Sequence, residues 1–488
     1  MKVIKLLHFI NLIILLGSCS LLFLAACGEE DDPEGESYTT LTVSILAPHV
    51  YEPVIRMAEW QMQTEFMLKD ENIRFNVDLT TYHSWIPHEN QQHQVRLQTM
   101  FMTGEAYNII FWDSHPFRTY AEAGFLLDFY TLIDQHPIIN RDDFHTNILE
   151  AFEHNGSLYL FPISFGFSYV GINANLPQSI INEFVWRDSI TVTDLLQIYQ
   201  VLRLNYSERF VHLSLGYAPY LRTSRDVLMA GANQFIDFSS RTSSLNSVQF
   251  IDFLELWRYA FPNINDIREG CGPHSIPVDS NMGCLSNQYI FAGFSGSFAP
   301  AVALFTPLEQ HFLNVIPLVD KEGRLLIMNQ YSPHLNMEGS SWAKLMIPAI
   351  GDGTLEWEFI QKLMTVMTET ELRHTSFGTG PHGLATPITR RDFEPHFERS
   401  TNLLFNSING RIRFEGIDTG NYELAMNEAR NRLAAYNEMP VAIFEFNELN
   451  APGLFLDENL LNHFLLGLST ADELAMELHN RMSLWLIE

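Results

Sequence analysis

The stretch Asn155-Gly156-Ser157-Leu158-Tyr159-Leu160-Phe161-Pro162-Ile163-Ser164-Phe165-Gly166-Phe167-Ser168-Tyr169-Val170-Gly171-Ile172-Asn173 organises this chain. Asn-Gly favours positive φ and predicts a turn. The apolar and aromatic run that follows meets Pro162, which has no N–H for a ladder and does not belong in a central strand. A second extended run comes next, in which Gly166 and Gly171 add no side-chain bulk. This is the pattern of a chain that crosses from one lobe to another beside a cleft.

Upstream, Leu41, Val43 and Ile45 alternate with polar residues, a strand signal. Val54, Ile55, Ala58, Met62 and Phe66 recur at helical spacing, and Ile73, Phe75, Val77 and Leu79 alternate again. Strand, helix, strand predicts a right-handed βαβ unit and a parallel sheet. A helix over Gln91–Met102 leads through Gly104 to an apolar strand over Tyr107–Trp112, and Gly124 ends a further helix as its C′ residue. Downstream, Thr191 is an N-cap with Asp194 three residues on, and Thr470 with Glu473 spells a capping box. Between them, Leu355, Phe359, Ile360, Leu363, Met364 and Met367 form one apolar helical stripe.

The order of these segments resembles that of the family 1 extracellular solute-binding proteins of bacterial ABC importers. The opening stretch is similar to that family's D-G-K-x-Y-x-x-P ending in Y-N-K: Gly156, Tyr159, Pro162 and Asn173 match, while Asn155, Ser157 and Ile172 depart. Gly104–Ile110 is similar to G-x-x-x-D-[IV]-[IV] with Asn108 in the acid's place, and Ala121–Asp128 to A-x-x-G-x-L-x-D-L. Thr191–Leu196 is similar to T-W-D-E-L-L with Val192 for the tryptophan, Gly353–Met367 to A-W-x-F-[IL]-x-x-L, and Leu468–Ala475 to the closing S-x-E-E-A-L helix. The resemblance implies an α/β, two-lobed periplasmic-binding-protein-like (type II) fold with a three-segment hinge. The first lobe would take residues 40–163 with 334–388, and the second 164–333 with 389–488. It also implies a monomer that closes on a solute, most simply a sugar or oligosaccharide, and delivers it to an ABC permease without making or breaking a bond or using a cofactor.

The amino terminus carries Lys2 and Lys5 before an apolar run, Leu6–Ala26, the pattern of an export signal. The run is also nearly long enough for a retained membrane anchor. Leu24-Ala25-Ala26-Cys27 resembles the bacterial lipobox, which makes residues 1–26 a lipoprotein signal peptide and Cys27 the lipidated first residue; Leu16-Gly17-Ser18-Cys19 is a second, poorer fit. Residues 27–39 are acidic and nearly devoid of apolar side chains, a solvated tether on the outer face of the membrane.

Composition narrows the partners. With 29 Lys and Arg against 58 Asp and Glu, the net charge of −29 repels nucleic-acid phosphate and anionic lipid headgroups. Cys271 and Cys284 flank a Gly/Pro/Ser/Asn-rich loop, and outside the cell they are free to pair. Such a bridge contributes about 3 kcal/mol by the chain-entropy estimate. A zinc pair lacks the ligand spacing, with only His274 between them.

Catalytic signatures are thin. Gly378–Gly383 matches G-x-G-x-x-G by letter, but Pro381 inside it and Pro387 after it make it a turn. Gly293-Phe294-Ser295-Gly296-Ser297 lacks the final glycine of a nucleophile elbow. His83, His88 and His93 are spaced by five and so fall on different faces of a helix, which favours plain surface histidines, with zinc capture as the alternative. The aromatic residues Trp85, Trp112, Phe165, Phe167, Tyr169, Tyr217, Phe294 and Trp342 fall in loops or at strand ends, where open α/β sheets bind ligands. Their rings can stack on sugar faces, and Asp113 can accept hydroxyl hydrogen bonds. The same aromatics would line the subsites of an exported polysaccharide-active enzyme, the rival reading.

Overall fold

A computed structural model of the chain describes residues 38–69, 72–82, 87–112, 117–165, 169–173, 178–179, 182, 187–206, 220–237, 240–260, 291–293, 312–328, 344–369, 386–398, 427, 430–444 and 458–487. In chain order the elements begin with β1 (Thr39–Pro48), α1 (Glu52–Leu68), β2 (Ile73–Tyr82), α2 (Pro87–Thr103), β3 (Ile109–Trp112), α3 (Phe117–Glu122), α4 (Phe129–Gln135) and α5 (Thr146–Ala151). Then follow β4 (Phe161–Pro162), β5 (Ser164–Phe165), β6 (Tyr169–Asn173), β7 (Ile190–Thr191), α6 (Val192–Tyr206), α7 (Tyr220–Asn233), β8 (Ile236–Asp237), β9 (Thr242–Ser243) and α8 (Val248–Ala260). The last part holds β10 (Phe291–Gly293), β11 (Phe312–Val319), β12 (Leu325–Met328), β13 (Lys344–Met346), α9 (Thr354–Glu369), β14 (Thr386–Pro387), β15 (Val441–Phe444), α10 (Glu458–Leu465) and α11 (Ala471–Ile487).

Two compact units divide the chain, Met1–Leu41 with Gln63–Asn76, and Thr42–Met62 with Val77–Glu488. In the smaller, helical and strand periods meet. Gln63 on α1 accepts from the Phe75 N–H at 2.7 Å and donates to the Ile73 carbonyl at 3.3 Å, and Phe66 packs on the Phe75 ring.

The larger unit carries two sheets. The first has the order β2–β1–β3–β13–β4. β1 runs parallel to β3, with Ile45 opposite Ile109, and the inward run Val43, Ile45, Leu46 and Ala47 is buried. β13 runs antiparallel to β3 and β4, so the expected all-parallel sheet is a mixed one. β13 follows β12, a strand of the other sheet, in chain order. The rings of Phe129, Phe144, Phe161 and Trp357 form this sheet's aromatic core, with centroids 5.1–6.0 Å apart.

The second sheet has the order β10–β6–β11–β12–β15, with β7 beside β11. Beneath it α6, α7, α8 and α11 bury Tyr199, Phe250, Phe253 and Trp257. Packing is close: a Cβ on Gly231 of α7 would stand 1.9 Å from the Phe253 ring. Both expected capping boxes form. The Asp194 N–H donates to Thr191 Oγ1 at 3.0 Å, and the Thr470 N–H donates to Glu473 Oε2 at 2.8 Å. Gly124 also caps its helix as expected, the Phe125 N–H reaching the Tyr120 carbonyl at 2.9 Å.

The opening turn is the one the sequence predicts. Asn155 (φ 54°) and Gly156 (φ 79°) are both left-handed, and His154 and Ser157 exchange two backbone hydrogen bonds across them. Positive φ at both central positions defines the I′ hairpin turn, whose twist suits the flanking chain.

Candidate functional site at the strand crossing

Leaving the turn, the chain enters the first sheet at β4, pairs with β14 through β5, and joins the second sheet at β6. Pro162 sits on β4, the sheet's edge strand, where a missing N–H breaks no ladder. From Phe165 to Tyr169 is four residues, a span of at most about 14 Å. The two sheets therefore approach each other at this crossing.

Strand register shows what gathers there. Lys344 of β13 lies opposite both Trp112 of β3 and Pro162 of β4, so the carboxyl end of β3 is level with the point where the chain leaves the first sheet. On the second sheet Tyr169 opens β6, opposite Gly293 at the end of β10 and Pro317 of β11. Trp112 and Tyr169 thus hold backbone positions at strand ends, the last of β3 and the first of β6, and Asp113 and Phe294 each follow in sequence on a strand end. Trp85, Asp113, Phe167, Tyr217, Phe294 and Trp342 lie outside the described residues, as do the side chains of Trp112 and Tyr169 and the cysteines Cys27, Cys271 and Cys284.

Phe165 is the one residue of the aromatic group whose side chain is described. It is fully buried and meets the His145 ring edge-on at 5.3 Å, so it offers no face to a solute in this conformation. Its backbone pairs with Thr386 of β14, which turns the ring into the packing under the crossing.

His145 is the neighbour that sequence reading missed. Its backbone N–H donates to the Ile388 carbonyl at 3.0 Å, and its ring is 4% exposed with neither nitrogen hydrogen-bonded. Burial, together with the nearby Arg390 charge, pushes its pKa down to about 4, although Glu438 at 3.7 Å pulls the other way. Arg390 itself grips Glu438 with both terminal nitrogens and donates Nε–H to the Phe144 carbonyl at 2.8 Å. Residues 388, 390 and 438 thus fasten onto Phe144 and His145.

On the other side of β6 lies a polar groove of about 740 Å³. Arg118, Asn147, Glu150 and Glu153 line it from the first sheet's helices and loops, and Asp320, Lys321 and Arg324 from the turn between β11 and β12. Asp320, itself buried, accepts from the backbone N–H groups of Glu322 and Arg324 and from Arg324 Nε at 2.7 Å, which fixes that turn. The groove's lining is charged and amide-rich and has no indole. Nothing in the sequence pointed to it, because its residues come from segments more than 300 positions apart.

The departure at Asn108 has a structural reason. Its Nδ2–H donates to Glu356 Oε1 at 2.7 Å, while its Oδ1 accepts from the Ser44 N–H at 2.9 Å and hydroxyl at 2.8 Å. Glu356 is 8% exposed, so an acid at 108 would set two carboxylates together in a buried place.

Among the described residues no group of His, Cys, Asp and Glu is arranged to hold a metal ion. No protein-family model and no curated protein sequence matches the chain. Solved structures do. The sugar-binding protein MalE from Xanthomonas citri is similar at a TM-score of 0.52 and 13% identity, over 92% of this chain and 98% of that one. An extracellular solute-binding protein family 1 from Alicyclobacillus acidocaldarius is similar at a TM-score of 0.50 and 12% identity, over 93% of this chain and 100% of that one. At this identity the likeness is one of fold: the chain has the α/β fold of the two-lobed extracellular solute-binding proteins.

Proposed function

We propose that this protein captures a neutral saccharide at the crossing of its two sheets and hands it to an ABC permease. The observation that carries the reading is the passage β4–β5–β6, which moves the chain between sheets within a few residues. Strand ends are where open α/β sheets hold ligands. Trp112 and Tyr169 have their backbones at strand ends, and Asp113, Phe294 and Trp342 adjoin strand ends in sequence; together they would supply stacking rings and a hydroxyl acceptor. Residues 40–163 with 334–388 would act as one lobe and 164–333 with 389–488 as the other. Ligand touching both would favour the closed form, and only that difference in affinity drives closure. The permease would read the closed form, with no bond made or broken. Cys27 would tether the protein to the outer face of the membrane.

The test is a thermal-shift screen of the mature protein with maltotriose, cellotriose and xylotriose, since a bound ligand stabilises by RT ln(1 + [L]/Kd). X-ray scattering on any hit should show a smaller radius of gyration at saturation. Release of reducing ends from these sugars, or a radius unchanged at saturation, would overturn the binding-protein reading.

A further inference from the structure

The groove side of the crossing carries a contact that joins the two halves of the larger unit. Glu122 ends α3, on the first sheet's side. Arg241 stands in the hairpin between β8 and β9, which is fastened to the second core by the Phe235–Phe250 rings at 5.1 Å and by His479 Nδ1 at 3.2 Å from Ser243 Oγ. Arg241 Nη2 donates to both Glu122 oxygens at 2.6 Å, and this guanidinium holds the Glu122 carboxyl below its usual range. His154, buried in the Asn-Gly turn, sets Nε2 3.2 Å from Glu122 Oε1 and orients the carboxylate in advance.

The backbone at Arg241 is left-handed, with φ 55°. Glycine is the ordinary occupant of such a position, and a strained residue there points to a use for its side chain. Here the side chain reaches across to Glu122.

Strand order gives the contact its direction. In the second sheet β10, which leads to Phe294, lies on one side of β6, and β11, β12 and β15 lie on the other. The groove belongs to the second side. It is lined by Thr242 and Ser243, which follow Arg241, and by Arg118, one helical turn before Glu122. A rotation about the crossing that closes the β10 side would open the groove side and draw Glu122 away from Arg241.

We infer that the Glu122–Arg241 pair is a latch that holds the ligand-free form open and sets the solute affinity from the far side of the hinge. This rests on the hinged-closure reading above. Glu122 and Arg241 are 40% and 48% exposed, so the pair is of the modest, salt-screened kind. Releasing it should tighten solute binding about two- to fivefold.

The variants are Arg241→Gly, which removes the guanidinium and suits the left-handed backbone, Glu122→Gln, and both together. Without ligand, each single variant should give a smaller mean radius of gyration than the wild type at low salt. The wild type should approach them as salt screens the pair. The trisaccharide that shifts melting most should bind each single variant about two- to fivefold more tightly, and the double variant no more tightly than either. Melting temperatures that hold steady or rise would show that the fold is intact. If the trisaccharide compacts the wild type but neither single variant changes in radius or affinity, or their effects add in the double, the latch is refuted and hinged closure stands. If no trisaccharide binds but the ligand-free radius still falls in the variants, the latch stands and the saccharide reading fails.

Discussion

His145 shows what burial does to one residue. Its folded pKa is near 4, below the ordinary 6.5, because burial penalises the imidazolium and Arg390 repels it. The unfolded chain therefore binds a proton at this position before the folded chain does. The stability this gives is fully present above pH 6.5 and is lost as pH falls toward 4, by about 3 kcal/mol at most. His145→Leu should flatten the fall in melting temperature between those pH values. Parallel curves for variant and wild type would mean that another group sets the acid limb. Asn108 makes a second case. Asn108→Asp replaces a donated hydrogen bond to Glu356 with a repulsion and should destabilise by about 1–3 kcal/mol. Adding Glu356→Gln should recover much of that loss, and failure of the rescue in urea denaturation would show that the cost comes from elsewhere.

At the scale of elements, β5 is two residues long yet joins three parts of the chain: it pairs with β14, packs its phenylalanine on His145, and continues into β6. Phe165→Ala should therefore behave as a core truncation, costing about 3–5 kcal/mol of stability. A loss below about 1 kcal/mol, with solute binding weakened instead, would return Phe165 to the ligand-facing group. The longer elements were legible because each repeats its period many times. The apolar stripe of α9, the alternation of β2 and the capping boxes at Thr191 and Thr470 stand in the structure as their residues predict. Short strands such as β4, β5 and β14 have no period to read, and partner strands far along the chain define them.

For the whole molecule, the predictions concern export. If Cys27 is the lipidated first residue, Cys27→Ala should release the protein from membranes or leave the signal uncut. Unchanged fractionation with an unmodified Cys27 in mass spectrometry would remove the anchor. Cys271 and Cys284 should titrate as no free thiol in the unreduced, denatured mature protein; two free thiols would rule the bridge out.

Patterns carried by neighbours in the chain came from the amino acids alone: helix and strand periods, caps, the Asn-Gly turn and the edge position of Pro162. Their causes are local, in backbone sterics, one missing N–H and the period of an apolar face. Long-range packing settled the rest. It set β13 antiparallel and buried Phe165 against a histidine twenty positions earlier. It matched Asn108 to an acid 248 residues away and laid Arg241 on Glu122 across 119 residues. Electrostatic partners and burial act through space, so the spacing of residues along the chain holds no trace of them.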